Sequence, residues 1–402
     1  MSTSPAPDKP KASESFVREV LASSWLVTVL AIVIALLVGA ILIAFSDTKV
    51  QETAGYFFAR PTDFFSAVWD KVSTAYVAMF RGAFFDWEAK TTALKFKPIT
   101  ETLVFATPLI MAGLAVAVPF RAGMFNIGAN GQVVLGALGA GYIGYMFSLP
   151  PVVHVTLAVL GGMLAGAVWA GISGWLKAAT GANEVITTIM LNNVAVYLIA
   201  YLLKQSWFKG NDTALPQSES IDAASASLPL LIGAPFRVHG GFLVAILAAV
   251  AVWWLMERST LGFEFRAVGA NASAARTAGI SVARTTVLVM VISGMLAGLA
   301  GANQILGTSK MLTASIAGSI GFDAITVALL GRSKPLGVFG AGLLFGALKA
   351  GGYTMQAQTN TPIDIVLVVQ SVIVLLVAAP PLVRAIFRLP APGAARAKEV
   401  AA

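Results

Sequence analysis

The sequence predicts an all-α, polytopic membrane protein with about ten transmembrane helices, and three observations carry that prediction. Hydrophobic residues fill 57% of the 402 positions and charged residues only 11%. A soluble domain carries about 25% charged residues, so this chain has too little charge to cover a solvated surface. Apolar runs close to the roughly 20 residues of a spanning helix recur along the chain. Lys and Arg gather at the ends of those runs, as membrane topology demands. They form no stripe, so the net charge of +8 does not point to nucleic acid. The 38 glycines would weaken helices in water but let them approach closely in a bilayer. With no Cys, disulfides and thiol chemistry are excluded.

The ten predicted spans are 25–46, 98–120, 124–147, 151–176, 184–203, 241–257, 285–306, 318–331, 336–355 and 363–383. The first has too long an apolar core for a signal peptide and no small-residue cleavage site after it, so it reads as an anchor. The eighth is short and reads as a broken or tilted element. Residues 1–24, with Pro5, Pro7, Lys9, Pro10 and Lys11, read as a disordered tail, and 386–402 as a second tail. Placing both termini in the cytoplasm puts Arg121, Lys177, Arg258, Arg266, Arg276, Arg284, Arg332, Lys334 and Arg384 inside. The short outer segments then hold Lys204, Lys209, Arg237, Lys310 and Lys349. Three domains follow after the tail: 25–97, which is the first span plus an outer loop, a core at 98–385, and the C-terminal tail.

Within the first loop, Phe65, Val68, Trp69, Val72, Tyr76, Met79 and Phe80 share one helical face. Such a helix lies flat on the outer membrane surface or packs on the protein's own outer ends. The second outer loop, about 205–240 with Asn211 and Asp212, is long enough to touch an external partner.

No enzyme constellation is visible. The two His, His154 and His239, lie far apart, no metal-binding spacing occurs, and no Walker-type Lys loop exists. Any ATP hydrolysis must come from another chain, and no cofactor is expected here.

Four polar segments interrupt the apolar pattern. The loop ERSTLGFEFRAVGANASAARTAGISVAR, 257–284, is too polar to span and too long for a plain turn. Asn271 or Ser273 can cap a short helix at 272–278, and Gly279 can end it. Ala272, Ala274 and Ala275 would give that helix a smooth surface for a groove, with Arg266 and Arg276 available to pair with acids. Composition alone favours an ordinary basic connector over such a docking helix. RAGMFNIGANGQ, 121–132, sets Asn126, Asn130 and Gln132 among glycines at a span boundary. Amides at membrane depth line a pathway or bond a neighbouring helix, and both readings stay open. GANEVITTIMLNN, 181–193, offers Glu184 as a helix-start carboxylate, with Asn192 and Asn193 two turns deeper. Asn303 and Gln304 form a further polar pair.

Three of these segments, RAGMFNIGANGQ, GANEVITTIMLNN and FRAVGANASAARTAGIS, resemble permease subunits of bacterial ABC importers, in the branch of ribose-type sugar and branched-chain amino-acid permeases. FNIG-x-x-GQ and NEVITTIMLN look most similar to the nucleoside-type permeases that work with basic-membrane-protein lipoproteins. The resemblance covers roughly 98–385. It implies two related halves, a location in the bacterial inner membrane, and pairing with a second permease chain, usually a different paralogue. It also implies a cytoplasmic ATP-binding subunit and an external substrate-binding lipoprotein. The coupling segment becomes 262–281, with Glu264, Arg266, Gly269, Asn271, Ala275, Arg276 and Gly279. The implied cargo is a nucleoside, neutral and polar, for which Asn126, Asn130, Gln132, Asn192, Asn193, Asn303 and Gln304 are the pathway candidates. Phe125, Tyr142, Tyr145 and Tyr197 are the aromatic candidates to stack on a base. Simple sugars and branched-chain amino acids are alternatives within the same class. An ion-coupled secondary transporter is the alternative outside it, and it would require a mid-span carboxylate, which the sequence does not display convincingly.

Overall fold

The computed structural model describes residues 24–209, 215–221 and 225–388. The N-terminal tail up to residue 23, the last fourteen residues of the C-terminal tail, and Asn211 and Asp212 lie outside the described residues. The described residues are helical, with two isolated β-bridges, Gln217 to Thr313 and Leu230 to His239. The chain divides into two compact units.

The first unit takes residues up to 68 together with those from 364 onward. Helix α1, Ser24–Phe45, is followed by α2, Thr48–Gly55, capped by Asp47, and by the first turns of α3, Pro61–Ala83. Helix α1 buries Val27, Ala31, Ala35 and Ile43 along α15, Asp364–Ala378, and turns Val33, Leu37, Ile41 and Phe45 outward, as a lipid-facing helix must. The tenth predicted span does not run straight: α15 breaks at Ala379, where Pro380 cannot continue the helix, and α16, Pro380–Ile386, turns away by 95°.

The second unit, 69–363, is built around α4, Thr92–Arg121. This helix is apolar on every side from Val104 to Val118 and buried accordingly. It carries Pro98, Pro108 and Pro119. Pro119 has no N–H for the carbonyl of Ala115, and Ser293 Oγ donates to that carbonyl instead, at 2.5 Å. Around α4 stand α5, Ala129–Met146; α6, Pro151–Thr180; α7, Glu184–Leu202; α8, Ser206–Lys209; and α9, Gly241–Arg258. They are followed by α10, Thr260–Ala270; α11, Ala272–Thr277; α12, Val282–Asn303, which continues as a π-helical turn, Gln304–Ser309; α13, Ile320–Leu330; and α14, Pro335–Thr359.

Helices α5, α6 and α12 touch backbone to backbone. The pentapeptide GMLAG occurs twice, at 162–166 in α6 and 294–298 in α12, and these copies face each other. A Cβ on Gly166 would strike the carbonyl of Gly294, and one on Gly298 the carbonyl of Gly162. Small residues four apart permit this approach in a bilayer.

All ten predicted segments carry a helix, and the count of ten spans is approximate. Among the described residues, seven helices are long and apolar enough to cross a membrane singly, and the bent α15–α16 pair adds an eighth. Helix α5 starts five residues later than predicted and is diluted by Asn130 and Gln132, while α13 is a short apolar helix of 11 residues. The amphipathic face predicted in the first loop is also refined. Beyond residue 68, α3 meets α14 where Gly82 faces Thr354 and Met79 faces Gly351; it buries Ala75 and Ala78 and turns Trp69, Val77 and Phe80 outward.

Candidate substrate pathway and coupling surface

Helix α4 ends at Arg121, and residues 124–127 form no helix before α5 begins at Ala129. Asn126 Oδ1 accepts from the Gly128 N–H at 2.9 Å, so the side chain folds back on its own turn and holds the chain out of the helix. Its Nδ2 donates to Gln132 Oε1 at 2.9 Å and Ser293 Oγ at 2.7 Å, and Gln132 Nε2 returns a bond to Asn126 Oδ1 at 3.0 Å. From α7, Asn192 Oδ1 accepts the Gly131 N–H at 2.8 Å while its Nδ2 donates to the Ile127 carbonyl at 2.8 Å. Glu184, about 12 Å earlier along α7 at 1.5 Å per residue, accepts weakly from the Phe125 N–H at 3.4 Å and pairs with Lys177 at 2.5 Å.

These bonds favour the packing reading of the amides. Asn126, Gln132 and Asn192 are buried and hydrogen-bonded inside the protein, and together they hold the broken segment. Asn193 is exposed on the outer side of α7 and bonds its own helix at the Ile189 carbonyl. Asn130 is buried, with Oδ1 unpartnered. Asn303 is buried with both amide atoms unpartnered, turned towards Gly241 and His239. Gln304 lines an open cavity, where its Nε2 donates to Ser309 Oγ at 3.1 Å.

The aromatic candidates fare similarly. Phe125 packs on Phe120 at 5.2 Å, Tyr142 stacks on Phe208 at 5.6 Å, Tyr145 donates to the Phe208 carbonyl, and Tyr197 lies exposed.

A second interruption lies beyond α12. The helix widens into the π turn at Gln304, residues 310–319 form no regular helix, and α13 starts at Ile320. Lys310, at φ 61°, sits half-buried against the loop that carries Ile221 and returns its Nζ to the Leu306 carbonyl at 2.5 Å. Burial lowers the pKa of Lys310, and burial and this neighbouring cation together push His239 down to about 4.

The start of α13 holds an ion pair that the sequence reading missed. Asp323, buried in an apolar helix, pairs with Lys349 of α14 at 2.5 Å. Ser319 Oγ donates to Asp323 at 2.7 Å and accepts from Lys349 at 3.0 Å, closing the triad. Lys349 is therefore inside α14 and not in an outer loop. A buried carboxylate does exist in this unit, but its charge is cancelled where it stands. The two interruptions also meet: a Cβ on Gly321 would collide with the Asn130 backbone, so the N-terminal ends of α5 and α13 abut. Half-helix N-termini meeting inside a bundle are a device of transporters, whose binding sites lie at such breaks.

At the end of the unit carrying the basic loop, α10 and α11 form the predicted polar segment. Asn271 caps α11 by accepting from Ser273 N and Ala274 N, and Gly279, at φ 85°, follows its end. Asn271, Ala272, Ala274, Arg276 and Gly279 are exposed. Ala275 is buried, so it is not part of the smooth outer surface, and Glu264 is half-buried. Arg266 keeps a buried Nη1 with no hydrogen-bond partner. Gly269 faces inward: a Cβ there would lie 2.6 Å from the Ala122 carbonyl carbon, and Gly123, at φ 71°, returns the contact. Arg121 pairs with Glu257 at 2.7 Å, tying the ends of α4 and α9 together. The basic segment thus rests directly on the residues that open the first break.

Two broken crossings, a close-packed glycine spine and a polar segment seated on one break define a polytopic transport permease. Residues 99–378 match the family model described as the branched-chain amino acid transport system / permease component. The chain is 41% identical over 286 residues to a glucose ABC transporter permease of Haloferax volcanii, covering 69% of this chain and 75% of the relative. It is 40% identical over 284 residues to a guanosine ABC transporter permease of Bacillus subtilis, covering 70% and 81%. It is 36% identical over 290 residues to a nucleoside ABC transporter permease of Lactococcus lactis, covering 70% and 79%. The chain belongs to this ABC-transporter permease family and is a multi-pass membrane protein.

Proposed function

We propose that the chain is the translocating subunit of an ATP-driven importer for nucleosides, with ATP hydrolysed on a separate cytoplasmic chain. The observation that carries the cargo is the similarity to the guanosine and nucleoside permeases over about 70% of the chain. The basic segment 257–284 then faces the cytoplasm in a bacterial inner membrane, both termini lie inside, and an external lipid-anchored binding protein delivers cargo.

The geometry supplies a route for coupling. The exposed face of Asn271, Ala272, Ala274 and Arg276 meets the ATPase. Its motion passes through Gly269 to Ala122 and Gly123, where no side chain can absorb the displacement. From there it reaches the turn locked by Asn126 and Asn192, and so the start of α5. Alternating access follows if the locked turn and α5 move as one piece.

The second permease is read as a different chain. Haloferax volcanii, Bacillus subtilis and Lactococcus lactis each hold two matching permeases, one at 36–41% identity and one at 27–30%. This chain resembles the first of each pair more strongly, which supports a mixed pair. A sugar is the second reading of the cargo, because the glucose permease matches as well as the guanosine one.

Mild-detergent purification of the tagged chain, with partners identified by mass, tests the assembly. The expected result is one ATP-binding chain and one second permease; the chain recovered alone or as a homodimer overturns it. Uptake of labelled guanosine competed with unlabelled glucose tests the cargo, and inhibition by glucose but not by inosine would favour the sugar.

A further inference from the structure

Two cavities of the larger unit share one aromatic wall. The first, about 590 Å³, is lined by charged groups, among them Asp86, Lys97, Glu101 and Arg237, and by Phe105 and Tyr353. Arg237 and Glu101 pair across it. The second, about 330 Å³, lies beyond Phe105 and Tyr353 and is lined by Gln304, Thr308, Ser309, Ser315, Ser319 and Lys349 among others. The Phe105 and Tyr353 rings stack at 5.3 Å with an interplanar angle of 22°. Tyr353 is 52% exposed, so its ring is not consumed by packing.

The smaller cavity has a distinct chemistry. Several hydroxyls and one amide, each able to donate and accept, face apolar residues such as Val104, Leu109 and Ile316 across it. Its only cation, Lys349, is neutralised in place by Asp323 through a direct pair and through Ser319. Nothing in it calls for a charged ligand, and a phosphate would have to compete with Asp323 for the ammonium. A volume of this order accepts a small polar molecule, and a flat ring system on one side would lie against the aromatic pair. The π turn Gln304–Ser309 sets Gln304, Thr308 and Ser309 into the cavity, and such turns recur at functional sites.

We propose that this cavity holds the cargo during translocation, resting on the nucleoside reading above. The base lies against the Tyr353 side of the aromatic pair, and the sugar hydroxyls bond Gln304, Thr308 and Ser309. The Asp323–Lys349 pair favours neutral nucleosides over nucleotides. The charged outer cavity is the vestibule that cargo crosses first.

The test uses the complete importer in proteoliposomes, supplied with ATP and saturating binding protein. Tritiated guanosine and glucose serve as probes, and 8-azidoguanosine serves for photolabelling. Base stacking is worth enough that Tyr353→Leu is expected to lower guanosine uptake about tenfold, with Tyr353→Phe recovering most of the loss. Thr308→Val, nearly isosteric and not in the core, is expected to lower it several-fold and decides the matter if Tyr353→Leu assembles poorly. Photolabel on wild type is expected on peptides containing Gln304 to Ser309 or Lys349 to Tyr353. Wild-type guanosine uptake with both variants at the wild-type rate, or label confined to other peptides, overturns the cavity while leaving the cargo reading intact. Wild type that carries glucose but no guanosine overturns the cargo reading and the stacking role with it.

Discussion

The two polar regions of the larger unit look alike in sequence and behave in opposite ways. Around Asn126, Gln132, Asn192 and Ser293, nearly every donor and acceptor finds a partner inside the protein. Around the π turn, Gln304, Thr308, Ser309 and Ser315 line open space with fewer and longer internal bonds, Gln304 to Ser309 at 3.1 Å, Thr308 to His239 at 3.5 Å and Ser315 to Thr313 at 3.5 Å, above a closed charged pair. A buried polar group left unpaired costs about 1–3 kcal/mol. The first region avoids that cost by self-satisfaction. The second leaves capacity that a hydroxylated ligand can use.

Substitutions should separate the regions. The largest effect is expected from Asp323→Leu, which leaves the part-buried Lys349 ammonium without its counter-ion. Breaking a buried pair costs about 3–5 kcal/mol, read as loss of folded chain in detergent; Asp323→Leu combined with Lys349→Leu should recover much of it. If the single variant melts like wild type, the pair does not hold the region together. Next, Asn192→Leu leaves the Gly131 N–H and Ile127 carbonyl unpaired, at about 2 kcal/mol or more. Uptake and stability should fall in proportion, and a variant that folds normally but does not transport would move Asn192 back to the pathway. Gly269→Val, whose Cβ has no room against Ala122, should leave ATP hydrolysis running while uptake drops sharply; parallel loss of both activities would argue against a coupling role. A pH series probes His239. Its pKa is lowered to about 4 by burial and Lys310, so the unfolded chain binds the proton first as pH falls below about 6.5. Stability should decline from there towards pH 4, and His239→Gln should flatten that part of the curve. The smallest effect is expected for Asn193→Ala, an exposed site, within about 0.5 kcal/mol.

The helices were legible because long apolar runs have few other uses, and Asn271 and Gly279 marked the ends of α11 through capping chemistry alone. The break at Ala379 was also written in Pro380 and Pro381, but the apolar run on both sides hid it. Asn126 and Asn192 stand out in the sequence as amides in apolar surroundings, but their bonding depends on partners 61 to 167 residues away, which no local pattern specifies. The Asp323–Lys349 pair escaped for the same reason. A signal existed: each is a lone charge in an apolar stretch, IGFDAITVALL and GALKAGG, and two lone charges of opposite sign in neighbouring spans invite pairing. Tyr353 and Phe105 were invisible because stacking across α4 and α14 leaves no mark on either sequence segment.

The facing GMLAG copies carry a mechanical consequence. Where Gly162 and Gly166 meet Gly294 and Gly298, carbonyl lies against α-carbon with no side chain between. Side chains can swap rotamers to let helices slide; bare backbones have no such gearing. Helices α6 and α12, with α5 wedged beside them at Gly136, should therefore move as one block. Under the proposed coupling, relative motion then falls at the contact of Asn130 with Gly321, one side reached from Gly269 and the other carrying the cavity.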